Sequence, residues 1–322
     1  MSRVLVTGGA GTIGAAVVRR LMRDDHEIRV ADQRAAPDWM RDGAEIFLGD
    51  LRELDQAIEA TRGCTRVIHL AAIVGGIANF HKLPLTLTEV NSALYGGVVR
   101  AAVHEDVERF VYVSSSMVFE RATQFPTTEE HVWECPWPRS AYGFSKLAGE
   151  VWVRAAHDEE GLPYTICRPF NAYGPGEMPE DEPGIAHAVP DLIRKSLAGM
   201  RPLPIFGSGE QTRTLTHVTD IADGIVTAMA SPAGLNEDFN ISSDRELTVA
   251  EIARICWEAS GNDPAEFELE HLPSFEVDVV RRWPSVEKAE RLLAWRAQIG
   301  VEEGVAGTVE WLRLAGNGGA GG

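Results

Sequence analysis

Tyr142 and Lys146 stand four residues apart in the run Tyr142-Gly-Phe-Ser-Lys146. On a helix, positions i and i+4 share a face, so a phenol and an amine would point to one place. A phenol with a solution pKa of about 10 is a poor base at neutral pH. A cation beside it favours the phenolate, which makes the pair a candidate for moving a proton to and from a carbinol oxygen. Upstream, Ser114-Ser115-Ser116 closes a strand-like run at 110–113. A serine there would hold a substrate hydroxyl in line with the phenol. Alone, Tyr-x-x-x-Lys is also an ordinary amphipathic helix face, so its meaning depends on what accompanies it.

What accompanies it is a glycine turn. Thr7-Gly8-Gly9-Ala10-Gly11-Thr12-Ile13-Gly14 follows the β-branched run Val4-Leu5-Val6 and leads into residues with helical spacing. Strand, Gly8-x-x-Gly11-x-x-Gly14 and helix form a dinucleotide fingerprint. The chain turns tightly, a pyrophosphate approaches bare backbone, and the helix N-terminus supplies amides to the anion. Asp32 ends the second strand, where a carboxylate accepts from an adenosine ribose 2′-OH and repels a 2′-phosphate. That favours NAD over NADP, with Arg34 as the nearby residue that argues the other way. Asp50 and Leu51 follow the third strand and could bracket the adenine; Asp50 reads equally well as a helix cap. A positively charged nicotinamide would be a second cation beside Tyr142. Lowering that phenol by about three units asks roughly 4 kcal/mol of its surroundings.

Positioning these groups takes an alternating architecture. Strand-like runs at 28–31, 44–48, 66–70, 110–114 and 164–167 are separated by helix-like segments near 52–61, 88–104 and 141–160. Alternation of this kind makes βαβ units and hence a parallel sheet. After Arg168 the regularity fades. Prolines, glycines and acids crowd 174–184, and a helix is expected at 186–199. Thr248-Val-Ala-Glu251 reads as a capping box, and a last helix is expected near 303–314. The fold expected is α/β, a Rossmann-type doubly wound sheet with a smaller mixed lobe. The sheet domain takes 1–171 and 216–244, the lobe 172–215 and 245–314, and a disordered tail 315–322.

The 322 residues carry 48 acidic and 30 basic side chains, a formal charge of −18. That balance excludes nucleic acid and anionic membrane as partners and leaves any anionic ligand to local cations and backbone amides. Cys64, Cys135, Cys167 and Cys256 lie far apart without a C-x-x-C pair, as in a reduced protein. His81, His104, His131 and His187 have no metal-ligand spacing, so no metal is expected. No run approaches the ~18 apolar residues of a membrane span, and no signal-peptide core follows Met1. The cytoplasm is the expected location.

In order along the chain, these motifs resemble the extended short-chain dehydrogenase/reductase family, in its nucleotide-sugar epimerase/dehydratase branch. The resemblance runs from about 3 to 314. It adds Gly49-Asp50-Leu51, His69-Leu70-Ala71-Ala72, Val113-Ser114-Ser115-Ser116-Met117-Val118-Phe119 and Arg168-Pro169-Phe170-Asn171-Ala172-Tyr173-Gly174-Pro175-Gly176 to the motifs above. Late echoes are Gln211-Thr-Arg213, His217-Val218 with Asp220, and Arg282-Trp-Pro-Ser. Phe119 stands where the family has the Tyr of its S-x-x-V-Y run, which makes Ser115 the match to the catalytic hydroxyl. The resemblance implies that Tyr142 is the acid/base and that Lys146 contacts the nicotinamide ribose while lowering the Tyr142 pKa. It puts Gly8, Gly11, Thr12, Ile13, Gly14, Asp32, Asp50, Leu51, Leu70, Ala71, Ala72 and Pro169 on the cofactor. Gly75, Gly76, Ser116 and Met117 fall toward the sugar. Asn171, Arg213 and Arg281 or Arg282 fall toward its diphosphate. Asn91 would be a structural or cofactor-side polar group. A homodimer through two helices beside the active helix is also implied.

Sugar dehydratases and decarboxylases of that family usually carry an acid one or two places after the catalytic Ser/Thr, and the 3,5-epimerases carry a Cys two after it. Ser116 and Met117 occupy those places here, and a methionine moves no proton. Oxidation at one carbinol and return of the hydride to its other face needs only Ser115, Tyr142, Lys146 and NAD. The sequence therefore reads as a nucleotide-sugar 4-epimerase. The alternatives are a 4-keto-sugar reductase resembling GDP-fucose synthase, on Ala71-Ala72-Ile73-Val74-Gly75-Gly76-Ile77; a dehydratase with Glu120 or His81 as base; and a non-catalytic dinucleotide sensor.

Overall fold

Val4 and Val6 face one side of a strand and Leu5 the other, and all three are fully buried. Only a sheet covered on both faces accommodates that pattern. The computed structural model, which describes residues 2–74, 82–180, 187–274 and 279–317, has that sheet. Its seven strands are β1 (Arg3–Thr7), β2 (Glu27–Asp32), β3 (Glu45–Leu48), β4 (Arg66–His69), β5 (Arg109–Val113), β6 (Tyr164–Pro169) and β7 (Glu237–Ile241). They lie in the order β7-β6-β5-β4-β1-β2-β3, every pair parallel. The order reverses between β1 and β4, so a crevice opens at the carboxyl ends of those two strands.

The helices are α1 (Thr12–Met22), α2 (Asp38–Arg41), α3 (Leu54–Thr61), α4 (Pro84–His104), α5 (Ala141–Glu160), α6 (Ala188–Leu197), α7 (Val218–Ala230), α8 (Val249–Ala259), α9 (Glu287–Leu293) and α10 (Val301–Asn317). Val17, Leu21, Ile221, Ile225 and Leu293 bring α1, α7 and α9 against one sheet face. Ala57, Tyr95, Val98 and Val153 bring α3, α4 and α5 against the other. A separate apolar cluster joins α6, α8 and α10 through Leu192, Ile252, Cys256, Val305 and Val309, which makes the lobe. Two strand pairs belong to it: Leu203–Phe206 runs parallel with Leu269–Leu272, and Thr212–Thr214 antiparallel with Glu246–Thr248. The capping box opening α8 has both reciprocal hydrogen bonds. All four cysteines are free and buried.

Three features differ from the sequence expectation. The alternation extends one strand further, to β7, because two of that strand's five residues are buried polar groups that spoil an apolar pattern. Asp238 is ion-paired with Arg168, and Asn240 donates to the carbonyls of Thr127 and Ser285. Ala289, Leu293 and Trp295 pack on the sheet side, although they fall in the 245–314 stretch expected in the lobe. Finally, α10 continues to Asn317, past the expected start of the tail at 315; residues 318–322 lie outside the described residues.

Candidate active site

The glycine turn is shaped by contacts that forbid side chains. Gly8 has φ +70° and donates to the Ala31 carbonyl at 2.8 Å. A Cβ there would stand 2.8 Å from the Ala71 amide nitrogen, and a Cβ on Gly14 would run into the Gly8 carbonyl. The opposing segment is pinned by Thr7. Its hydroxyl accepts from the Ala71 N–H at 3.2 Å and pairs with His69 Nδ1 at 2.7 Å. Burial, with Lys146 adding to it, pushes the His69 pKa down to about 3, so the imidazole is neutral. At the end of β2, Asp32 accepts from the Ala10 N–H and the Arg34 N–H, both at 3.0 Å. Asn91 is structural in its contacts. Its side chain makes both backbone hydrogen bonds of Ile73, accepting from the N–H and donating to the carbonyl, and also donates to Ser145.

Ser115, Tyr142 and Lys146 line one cleft. Ser115 caps the short turn Ser116–Phe119 by accepting from the Met117 N–H at 3.2 Å, and its hydroxyl is hydrogen-bonded to Tyr142. The Lys146 ammonium donates to the Val113 carbonyl at 2.8 Å, two residues before Ser115. The start of α5 sets the phenol's height. Ser140 accepts from the Gly143 N–H at 3.0 Å, and the buried Glu120 carboxylate accepts from the Arg139 N–H at 2.8 Å and the Ser140 N–H at 3.1 Å. Glu120 also takes the Ser140 hydroxyl, so this carboxylate serves the helix start and does not line the cleft.

Burial raises the Tyr142 pKa to about 12, with the Ser115 hydrogen bond and Arg282 pulling in the opposite direction. Burial lowers Lys146 to about 7, opposed by Glu150. Lys146 was expected to bring the phenol down. In the protein alone the phenol remains above its solution value, because both groups share the same dry pocket and desolvation dominates.

At the far end of the cleft Arg282 donates to Asn171 Oδ1 at 3.1 Å and Ser116 Oγ at 3.5 Å, and lies against the Met117 sulfur at 3.0 Å. Asn171, at φ +39°, donates to the Thr214 carbonyl. Arg213 lines the cleft and donates to the carbonyls of Thr212 and Val279. The cleft also receives Gly8, Gly11, Thr12, Ile13, Gly14, Asp32, Leu51, Leu70, Ala71, Ala72, Pro169, Ser116 and Met117.

Two expected residues are elsewhere. Arg281 is held bidentately by Glu246 at 2.7 and 2.8 Å and is not part of the cleft wall. Asp50 is likewise off the wall, its carboxylate taken by Arg52. In each case a local ion pair satisfies the charge before the cleft can. Gly75, Gly76 and His81 lie outside the described residues.

The lobe adds residues that sequence reasoning missed, among them Glu177, His187, Leu192, Phe206 and Gln211. His187 pairs with Glu177 at 2.6 Å; burial lowers its pKa, and Glu177 more than reverses that. None of these residues follows a spacing rule, because loops and strand ends from three parts of the lobe deliver them. Among the described residues no group of three His, Cys, Asp or Glu could hold a metal, and no helix is long and apolar enough to cross a membrane.

Comparison with known proteins gives a consistent picture. Residues 4–242 match the NAD dependent epimerase/dehydratase family. A putative UDP-glucose 4-epimerase of Methanocaldococcus jannaschii is 29% identical, over 96% of this chain and 98% of that one. UDP-glucuronic acid decarboxylase 1 of Xenopus tropicalis is 28% identical, over 97% of this chain and 72% of that one. Among solved structures, the UDP-glucose 4-epimerase of Thermotoga maritima, determined with UDP-glucose, superposes with a TM-score of 0.86 at 28% identity. That superposition covers 97% of this chain and 99% of the other.

Proposed function

The chain belongs to the NAD-dependent epimerase/dehydratase family, and from that membership we propose that it is a nucleotide-sugar 4-epimerase with NAD as a resident cofactor. The residues present fit NAD. The turn at 8–14 leaves bare backbone where a side chain would collide with Ala71, and Asp32 stands at the strand end where a ribose 2′-OH is recognised. In this reading the turn amides hold the pyrophosphate, Leu51 and residues 70–72 flank the rings with Pro169, and Lys146 holds the nicotinamide ribose. The chemistry that NAD supplies when bound is reversible hydride uptake at one carbinol carbon, with no net redox change.

The chain's own residues handle the proton. Ser115 orients the sugar O4 hydroxyl, and Tyr142 removes the O4 proton and later returns it. Arg282, Asn171 and Arg213 hold the diphosphate by charge-assisted hydrogen bonds. With burial setting Tyr142 near 12, the phenol depends on cations brought close to it during turnover.

The observation that carries the choice of reaction is the environment of Ser115. Elimination or decarboxylation asks for a further acid or base at the sugar, and the places after Ser115 hold Ser116 and Met117. Glu120 is consumed by the α5 cap, Glu177 is paired with His187 and Asp191 with Lys195, while Glu180 lines the lobe side of the cleft and is the carboxylate a dehydratase reading would have to use. The UDP-glucose 4-epimerases among the relatives make a UDP-hexose the first substrate to offer. We further propose a cytoplasmic homodimer. Leu85 on α4 and Phe144, Val151 and Trp152 on α5 are exposed apolar side chains of the kind a helix-on-helix interface buries.

Mass spectrometry of the small molecules released from purified protein is expected to find NAD. A panel of UDP-, GDP- and dTDP-hexoses is then expected to yield the C4 epimer of one member, with no net change in NADH absorbance. A 4-keto-6-deoxy product, release of carbon dioxide or net consumption of NADH would replace this reading with dehydratase, decarboxylase or reductase.

A further inference from the structure

Glu150 lies one turn beyond Lys146 on α5, and its side chain is fully buried. Its carboxylate accepts the Ser114 hydroxyl at 2.6 Å and Arg168 bidentately, from Nε at 2.8 Å and Nη2 at 2.7 Å. These donors sit within the site's own framework. Ser114 separates Val113, whose carbonyl takes the Lys146 amine, from Ser115, which meets Tyr142. Arg168 immediately precedes Pro169 on the cleft wall, and Asp238 holds its Nη2 at 2.8 Å. Apolar side chains would fill the same space without the desolvation cost of buried charges. A role for the charge itself accounts for what packing does not.

The groups facing Lys146 show what that role is. Tyr142 on its own helix is a phenol kept neutral by burial. Tyr112 of β5 has its ring 5.4 Å from the amine, and burial raises its pKa well above the ordinary tyrosine value. His69 of β4 is neutral, and Tyr95 of α4, edge-on to both rings, is a buried phenol raised by desolvation. Burial works against the ammonium, and Glu150 is the anion that works for it.

We propose that Glu150 is a positioning residue. Fixed by Arg168, its carboxylate lies one helical turn from the buried Lys146 amine, where it favours the ammonium form, and through Ser114 it ties the end of β5 that presents Ser115. The inference rests on the proposed cofactor-side role of Lys146, but its test needs no turnover. The chain has four lysines, Lys82, Lys146, Lys195 and Lys288. Protein grown with lysine labelled with carbon-13 at Cε therefore gives four side-chain signals, and Lys146→Met identifies the one that matters.

In Glu150→Gln the titration midpoint of that signal is expected to fall by about one unit or more, because the anion is gone and Arg168 remains as a repelling cation. Glu150→Asp keeps the charge at a greater distance and is expected to fall between parent and Gln. Should the Gln variant not fold, the Asp variant carries the test alone. An unchanged Lys146 midpoint in the variants that fold overturns the proposal, since a carboxylate that merely fills space would leave the titration where it was. The shift is readable in a protein that converts none of the sugars, so the two readings fail separately.

Discussion

In the proposed reaction a single atom of Tyr142 carries the proton. Its phenol oxygen is hydrogen-bonded to Ser115 and raised by burial to about 12. Tyr142→Phe removes that oxygen and little else. Turnover is expected to fall by about 10²–10⁴-fold, the ordinary contribution of a positioned acid/base. NAD is expected to remain in the purified variant, which mass spectrometry checks. Gly8→Ala tests the other end. A side chain at φ +70°, with its Cβ 2.8 Å from Ala71 N, meets both backbone strain and a fixed neighbour. It is expected to cost about 1–2 kcal/mol from the dihedral alone, with loss of NAD retention through desalting. Tyr142, Lys146 and the glycines were legible because their chemistry follows fixed spacings. Of the pair Arg281 or Arg282, the cleft takes Arg282, and spacing could not show that Glu246 holds Arg281 or that Arg52 holds Asp50.

At the scale of one element, α5 couples stability to function at its first turn. Glu120 is the residue to test there, because its carboxylate serves the N–H groups of Arg139 and Ser140 together with the Ser140 hydroxyl. Glu120→Ala leaves buried donors without a partner, at about 1–3 kcal/mol each. Both the denaturation midpoint and kcat are expected to drop, because Tyr142 sits on that turn. The capping box of α8 is a simpler case. Thr248→Ala is expected to cost about 1 kcal/mol of stability, read as a lower denaturation midpoint, because its hydroxyl caps the first turn by accepting from the Glu251 N–H. The box was readable from Thr248 and Glu251 alone. The cap at Glu120 was not, because its partners lie about twenty residues away in sequence.

Across the whole molecule, buried charges join β6, β7, α5 and α9. Burial opposes ionisation of Asp238, and Arg168 and Lys288 overcome it, so the carboxylate stays well below its usual range. A carboxylate depressed in the folded state stabilises the protein above its unfolded pKa of about 4 and loses that contribution as pH falls through the folded value. Thermal stability is thus expected to decline below about pH 4 more steeply in the parent than in Asp238→Asn. At pH 7 the variant is expected to be less stable by about 3–5 kcal/mol, because Arg168 and Lys288 lose a shared partner. Equal slopes in the two proteins would place the acid sensitivity in other groups.

The sequence by itself determined the first six strands, the glycine turn after the first of them and the helix face that Tyr142 and Lys146 share, because each is written in neighbouring residues with a short period. The seventh strand, the lobe wall of the cleft, the ion pairs of Arg281 with Glu246 and of Asp50 with Arg52, and the buried carboxylate one turn beyond Lys146 were decided by tertiary structure. Those features depend on which distant charges and backbone groups satisfy one another once water is excluded, and no local spacing records that choice.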